Sequence, residues 1–228
     1  MNETARGQGW LLALDTSTTT IVVAAGSTGG ELLAAEAFEG RFRHSQELLP
    51  AVVRVIERGG LRLPDLAGVV VGTGPGAFTG LRVGIATAKT LAHELGCPIV
   101  GIASSSALLA AADGAAVLWL PSGLRDRIAV AAGSEPVVVP GAAPGPDLPP
   151  DAIEVAVDLE GRASDAALAR GREAIAGLPA ALLRLGAARL AAGEHDDAER
   201  LVPRYASPPR GALTSDSEGG VAWSRDPR

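Results

Sequence analysis

Residues Gly68–Gly96 decide the fold, and they read GVVVGTGPGAFTGLRVGIATAKTLAHELG. The opening run of valines predicts a short buried strand. A loop with several glycines and one proline follows, which indicates backbone with positive φ or the close approach of another part of the chain. Apolar residues then recur every three or four positions until Gly96, which predicts a helix with Thr79 as its N-cap. The predicted order is strand, glycine loop, helix.

The predicted helix carries a stripe of small residues beside its apolar face. The stripe consists of Gly80, Gly84, Ala88 and Ala92. Glycine inside a helix costs about 1 kcal/mol relative to alanine, so the stripe predicts a neighbour that comes unusually close. Two neighbours fit this pattern: the sheet of the same chain, or a helix of a partner. In the second case a side chain introduced at Gly84 would point to solvent in the free chain.

Two common phosphate-binding loops do not match the segment. A Walker loop ends in Gly-Lys-Ser/Thr, whereas Gly80 is followed by Leu81. The dinucleotide pattern G-x-G-x-x-A fits Gly72, Gly74 and Ala77. However, the next predicted strand, near residues 99–101, ends without the acidic residue that would hold a ribose.

Composition narrows the class of protein. The chain has 228 residues, a net charge of -6, one lysine and 3% aromatic residues, so it lacks the charge and the stacking surface of an autonomous RNA-binding protein. A single cysteine, Cys97, fits a reducing compartment, and we predict a cytoplasmic protein. The apolar run at residues 10–14 is too short for a signal peptide. Residues 95–112 are uncharged but contain glycine, proline and serines, so no membrane span is predicted.

The remaining pattern predicts two units and a tail. The first unit, over residues 9–103, is predicted to be ribonuclease-H-like. It contains three antiparallel strands (10–14, 20–25, 31–38), a helix (46–58, capped by Ser45), the strand and helix of the glycine segment, and a strand at 99–102. A smaller α/β unit over residues 104–207 contains a helix (105–112), strands (117–120, 127–132, 137–139, 153–157) and two helices (163–176, 179–192). Residues 208–228 are predicted to be a mobile tail.

The glycine loop resembles the signature of a known family. The pattern Gly72-x-Gly74-Pro-Gly-x-Phe-Thr-Gly-x-Arg82-x-Gly84 is similar to that of the bacterial TsaB family, also called YeaZ. The signature residues are Gly72, Gly74, Pro75, Gly76, Phe78, Thr79 and Arg82. The resemblance implies an α/β fold of the actin-like/sugar-kinase superfamily, with two ribonuclease-H-like subdomains of which the second is smaller and degenerate. Residues 122–128 depart from the family, in which many members show Asp-Ala-Arg-x-Gly-Glu-Val-Tyr.

The family also implies a function and partners. Its members are accessory, non-catalytic subunits that pair with the transferase TsaD and, with the ATPase TsaE, assist formation of N6-threonylcarbamoyladenosine at position 37 of tRNA. The resemblance implies contact with tRNA only through this complex, a homodimer when the chain is alone, and no cofactor or metal. The surface implied for the partner consists of Leu49, Val53, Ile56, Gly80, Leu81, Gly84, Ile85, Ala88 and Ala92.

A second resemblance lies at the end of the first strand. Asp15, Thr16, Ser17 and Thr18 are similar to the first phosphate loop of the actin-like superfamily, and we interpret them as a vestigial loop. A strand-end Asp before hydroxyl residues is also a common turn. The second phosphate loop has one weak candidate, Asp158-x-x-Gly161, and the adenosine segment has none. The serines at 104–106 fit a helix N-cap.

The alternative function is that of a small kinase-like ATPase or a glycoprotease-like peptidase. The Asp15 loop alone favours it. His44, His93 and His195 are too far apart to form the His-x-x-x-His metal pair of TsaD. The sequence therefore predicts no catalytic residues and no metal site.

Overall fold

The first sheet contains the predicted ribonuclease-H-like order. The structure is a computed structural model that describes residues 9–40, 44–141, 143, 145–149 and 151–206. Its first sheet consists of β1 (Trp10–Asp15), β2 (Thr20–Ser27), β3 (Leu32–Glu39), β4 (Leu66–Gly72) and β5 (Ile99–Ile102). The order is β3-β2-β1-β4-β5, with β1 to β3 antiparallel and with β4 and β5 parallel to β1. The predicted meander and parallel crossovers are confirmed.

Two helices cover one face of this sheet. They are α1 (His44–Gly59), which packs on β2 and β3, and α2 (Phe78–Leu95), which packs on β4, β1 and β5. A 3-10 turn, Leu63–Asp65, leads into β4. The helix α2 ends as predicted at Gly96, whose φ is 63°. The predicted cap Ser45 has a side chain outside the described residues.

The start of α2 differs from the prediction. The N-cap is Ala77, without a side-chain hydrogen bond, so the assignment of Thr79 as the cap is wrong. The reason lies in the loop before the helix. The amide of Ala77 donates to the carbonyl of Ser17 over 2.7 Å, so a contact with the turn after β1 sets the entry of the helix.

The second sheet repeats part of the first. It consists of β6 (Val117–Ser122), β7 (Asp126–Ala131), β8 (Val137–Val139) and β9 (Glu154–Ala156), in the order β8-β7-β6-β9. The strand β6 is antiparallel to β7 and parallel to β9, as β1 is to β2 and β4. The second sheet thus reproduces the order β3-β2-β1-β4 without a fifth strand. This arrangement is the smaller, degenerate copy that the sequence predicts.

The last helix is one element rather than two. The prediction of separate helices at 163–176 and 179–192 is wrong, because α4 (Asp165–Ala191) runs for 27 residues with Pro179 inside it. A proline inside a helix removes one hydrogen bond. Burial of Leu178, Leu182 and Leu183 in a core that contains strands of both sheets offsets this loss. Among the described residues, α4 is long and apolar enough to cross a membrane by length and composition. Its packing in this core explains that composition.

The core connects the two predicted units. One cluster of buried side chains contains residues of both sheets, of α3 (Ser104–Ala111) and of α4, whereas a second cluster lies between the first sheet and α1 with α2. The helix α4, which the sequence assigns to the second unit, also packs on β2 and β5 of the first sheet. The division at residues 103 and 104 stays a prediction. The predicted tail lies outside the described residues.

An ion-pair cluster attaches α1 to the edge of the first sheet. Glu36 on β3 accepts from Arg54 Nε at 3.0 Å and is also paired with Arg58. The side chain of Glu36 is only 13% exposed. The hydrogen bond from Arg54 holds the pKa of Glu36 below its usual value of 4.5. The cluster therefore fixes the rotation of α1 on the sheet.

We expect Glu36→Gln to destabilise the fold in a pH-dependent way. Because the folded-state pKa of Glu36 is lowered, its stabilisation is present above about pH 4.5 and is lost as the pH falls through the folded-state pKa. Both arginines are about half exposed, so screening limits the loss at neutral pH to about 1–2 kcal/mol. Urea unfolding at pH 7 and pH 3.5 measures it. Glu57→Gln, an exposed carboxylate change on α1, is the control, and an equal loss at both pH values would contradict the assignment.

Candidate functional site

The turn after β1 is buried and hydrogen-bonded within the chain. The residues from Asp15 to Thr18 are at most 3% exposed. Asp15 Oδ1 accepts from the amide of Ser17 over 2.8 Å and from its hydroxyl over 2.7 Å. This is the bonding of an Asx turn. This bonding is compatible with both interpretations of the sequence, a simple turn and a vestigial phosphate loop. In either case the side chains of Asp15 and Ser17 are hydrogen-bonded to each other.

The glycine loop and α2 pack directly on this turn. Thr16 Oγ1 donates to the carbonyl of Gly80 over 2.8 Å. A Cβ atom at Gly84 would overlap Thr16 Oγ1, and one at Gly76 would overlap the carbonyl of Ser17. Glycine at these two positions is therefore required by a contact within the chain. The backbone of α2 occupies the space beside the turn.

The partner surface predicted on α2 is therefore wrong for the free chain. Six of its residues are buried in the chain's own core, namely Gly80, Leu81, Gly84, Ile85, Ala88 and Ala92. The close neighbour that the small stripe required is Thr16, with the sheet beneath it. The premise that a side chain at Gly84 would point to solvent is also wrong. The sequence allowed two neighbours for this stripe, the chain's own sheet or a partner helix, and the structure shows the chain's own sheet.

The predicted residues on α1 have a different environment. Leu49 is 50% exposed and Val53 is 53% exposed, while Ile56 is partly buried. Helical spacing places these three on the side of α1 opposite Arg54 and Arg58, which face β3. They therefore lie on the side of α1 nearer α2.

The outward side of α2 adds further residues to this surface. Val83 is partly buried, and Ala86 and Thr90 are exposed. Since α1 and α2 are packed neighbours, we define the α1–α2 outer face as Leu49, Val53, Ile56, Val83, Ala86 and Thr90. This face is apolar and small-residue rich, and the described part of the chain leaves about half of Leu49 and of Val53 uncovered.

Asp15 is the one enclosed carboxylate of the site. Its Oδ2 atom has no hydrogen-bond partner among the described residues, and a Cβ at Gly72 would overlap this carboxylate. Burial raises the pKa of Asp15 above its ordinary value of 3.8, and the hydroxyls of Ser104 and Ser17 oppose the rise only in part. In the described ranges no three His, Cys, Asp or Glu side chains converge on a point that could hold a metal ion.

The two candidate phosphate loops are bonded to each other. Asp158, which follows β9, accepts from the amide of Thr19 over 2.7 Å and from its hydroxyl over 2.5 Å. Asp158 has a φ of 57°, an unusual value for a residue other than glycine. Arg162 in turn donates to the carbonyls of Gly123 and Leu124 at the β6–β7 turn. The two sheets are thus linked through these loops.

A C-terminal strap, residues 196–206, holds the signature loop from outside. The amide of Arg204 donates to the carbonyl of Thr73 over 2.7 Å. The Arg82 guanidinium lies 3.9 Å from the ring centroid of Phe78, whose ring stacks on Tyr205 with centroids 4.9 Å apart. Sequence reasoning missed this contact, because no local pattern relates residues separated by more than a hundred positions.

The structure groups the signature residues by their neighbours. Gly72, Gly74 and Pro75 are buried at the end of β4, and Gly76 contacts the turn after β1. Phe78 and Arg82 contact the strap, and Thr79 is exposed. The signature therefore serves two internal contacts, one on each side of the loop.

We expect Asp15→Asn to change how stability depends on pH. Because the folded-state pKa of Asp15 is raised, the unfolded chain loses its proton first, and the wild type loses stability as the pH rises above about 3.8. The amide side chain introduced by the substitution is uncharged, so it does not carry the free-energy cost of burying a charged carboxylate. The variant should therefore gain stability relative to the wild type between pH 4 and pH 8, measured as the difference in melting temperature. A difference that shrinks or reverses as the pH rises would contradict a raised pKa for Asp15.

We expect Gly84→Ala to destabilise the fold although alanine is the better helix former. The overlap with Thr16 should cost about 1–3 kcal/mol in spite of a helix gain of about 1 kcal/mol. Thr16→Ala removes the overlapping atom, so Gly84→Ala should cost about 1 kcal/mol less in that background. Urea unfolding of the four proteins in the double-mutant cycle measures this coupling. Additive effects would show that Gly84 does not lie against Thr16.

Comparisons with known proteins agree with the resemblance seen in the sequence. A family model described as "TsaD: tRNA N6-adenosine threonylcarbamoyltransferase" matches residues 40–184. The chain is 35% identical over 118 residues to the tRNA threonylcarbamoyladenosine biosynthesis protein TsaB of Escherichia coli, which is 50% of this chain and 46% of that protein. It is 45% identical over 65 residues to an uncharacterized protein of Mycobacterium bovis, which is 28% of this chain and 31% of that protein. The chain thus spans about a third to a half of the length of these curated relatives.

A solved structure matches nearly the whole fold. The YeaZ structure from Pseudomonas aeruginosa superposes with a TM-score of 0.67 at 25% identity, over 86% of this chain and 99% of that chain. The α/β fold with two related sheets, predicted as actin-like, is confirmed. The chain therefore belongs to the family that this TsaD model describes, and it is similar to the TsaB and YeaZ proteins.

Proposed function

We propose that this chain is an accessory subunit in the formation of N6-threonylcarbamoyladenosine at position 37 of tRNA, and that it acts by binding a TsaD-like transferase. A curated relative named for this biosynthesis supports the pathway. The observation that carries the mode of action is the exposed, apolar α1–α2 outer face, with Leu49 and Val53 each about half exposed.

This face is suited to a helix of a partner. Exposed leucine and valine one helical turn apart form a stripe into which a second helix packs. The Glu36 cluster fixes the rotation of α1, so the stripe is held in place before any partner binds. Burial of an exposed leucine or valine contributes about 1.5–3 kcal/mol for a complete loss of contact with water.

The chain itself is proposed to be non-catalytic. In an ATPase of this superfamily, phosphates lie between two loops. Here α2 packs on the first loop, and Asp158 bonds directly to Thr19 across the gap. These contacts argue against the kinase-like ATPase. The peptidase alternative has no supporting feature in the described residues.

The remaining partners follow from the same proposal. A TsaE-like ATPase joins the assembled complex, and tRNA binds only through that complex, in keeping with a net charge of -6 and 3% aromatic residues. Without TsaD, the chain forms a homodimer through the α1–α2 outer face. We propose a cytoplasmic location, where Cys97 stays reduced.

We expect Val53→Asp to separate folding from association. A carboxylate at the centre of an apolar contact loses hydration without a partner, and we expect binding of the TsaD-like subunit to weaken at least tenfold, about 1.4 kcal/mol. Because Val53 is exposed in the single chain, the variant should still fold and melt cooperatively. Light scattering after size exclusion, titration with the TsaD-like subunit of the same organism and a reconstituted modification assay measure this.

Leu124→Asp is the matched control. Leu124 is 85% exposed and lies at the β6–β7 turn of the second sheet, away from α1 and α2. This variant should bind the partner and support modification as the wild type does. Unchanged binding by Val53→Asp, or an equal loss in Leu124→Asp, would place the partner elsewhere.

A further inference from the structure

A small cavity lies between the two sheets, away from the α1–α2 outer face. Its volume is about 250 Å³. The glycine loop, the first turn of α3, the β7–β8 turn and the strap enclose it. Its polar lining includes Ser105, Ser106, Glu135, Arg204 and Tyr205. None of these residues belongs to the turn after β1 or to the proposed partner surface.

The N-terminus of α3 opens into this cavity without a cap. The N-cap position is Ala103, which also lines the cavity and makes no side-chain capping bond. The serine run at 104–106, which the sequence suggests as the cap, lies inside the helix, and the Ser104 hydroxyl accepts from the amide of Gly74 over 3.0 Å. Amides of a first helical turn have no partner within the helix, and they form the positive end of its dipole. Anions bind at such helix ends.

Ser105 gives independent evidence for a ligand. It is only 4% exposed, and its hydroxyl has no hydrogen-bond partner in the described part of the chain. Two side-chain atoms in the described part of the chain are fully enclosed and unpaired, namely Asp15 Oδ2 and Arg127 Nε. The Ser105 oxygen is not one of them, so it is accessible, and Ser105 lines the cavity. The residue is buried, but its hydroxyl faces the cavity without a partner among the described residues, so it is placed to bond to a molecule that enters the cavity.

Arg204 is the arginine in the lining of this cavity, and it is exposed at the cavity's edge. The backbone bond to Thr73 holds its main chain in place beside the cavity. Its guanidinium makes no hydrogen bond or ion pair within the described residues. We propose that this cavity binds the phosphoryl group of a small ligand, with the first-turn amides of α3, the Ser105 hydroxyl and Arg204 as donors. This site is independent of the proposed accessory function.

The donor set favours a phosphoryl group over a carboxylate. Amides, a serine hydroxyl and a guanidinium offer more hydrogen-bond donors than the two oxygens of a carboxylate use, whereas a phosphoryl group presents three strong acceptor oxygens. Glu135 in the lining has the opposite effect, because its charge repels an anion. The net preference therefore depends on Arg204, and removal of the Glu135 charge should strengthen binding.

Calorimetric titration of the full chain tests the site. Inorganic phosphate is the probe in one arm and AMP in the other, at pH 7.5 and low salt. We expect saturable binding that Arg204→Gln weakens about tenfold and Ser105→Ala about three- to tenfold. Glu135→Gln should bind about two- to threefold more tightly. Ser105→Ala should keep its melting temperature, because alanine is a good helix former. It therefore tests the site even if Arg204→Gln does not fold.

Arg200→Gln is the matched control, since Arg200 lies on the same strap and is paired with Asp197 at the surface. It should bind as the wild type does. Binding of both probes with similar affinity assigns the site to free phosphate, and clearly tighter binding of AMP assigns it to a nucleoside monophosphate. The proposal is overturned if neither probe saturates at about 10 mM. It is also overturned if Ser105→Ala binds normally, or if Arg200→Gln loses as much affinity as Arg204→Gln.

Discussion

The contact between α2 and the turn after β1 is the constraint on which the rest of the structure depends. Thr16 bonds to the carbonyl of Gly80, and Gly84 has no space for a side chain beside Thr16. This approach brings the helix onto the sheet and determines where the glycine loop turns. It also gives the turn after β1 a structural role, because its residues bond to other parts of the chain.

The second sheet depends on the first through two connections. The long helix α4 packs in the core that contains strands of both sheets, which explains why it continues through Pro179. The second connection is the bonding of Asp158 to Thr19. Together these connections hold the two sheets as one body, with the gap between the loops closed. The apolar surface left outside is then the α1–α2 outer face, which is where we place the partner.

How far the sequence predicted this structure depends on the range of each contact. The strands, the parallel crossovers and the Gly96 helix end follow from local patterns, and these predictions are confirmed. The small stripe on α2 correctly predicted a close neighbour. The sequence could not decide between an internal and an external one, because helical spacing shows a face without showing what covers it. The predictions of an N-cap at Thr79 and of a helix break at Pro179 are wrong for a related reason. In each case a contact with a distant part of the chain outweighs the local sequence pattern. The strap contact of Tyr205 with Phe78 left no local signal at all.

ATP turnover by the purified full chain with Mg²⁺ tests the central claim most directly, namely that the chain itself fills and closes the phosphate site of its fold. The account predicts no turnover above that of the buffer, because Thr16 and Thr19 are bonded to Gly80 and Asp158 rather than free for phosphates. Turnover on the order of 1 per second that copurifies with the chain and disappears in Asp15→Ala would contradict it.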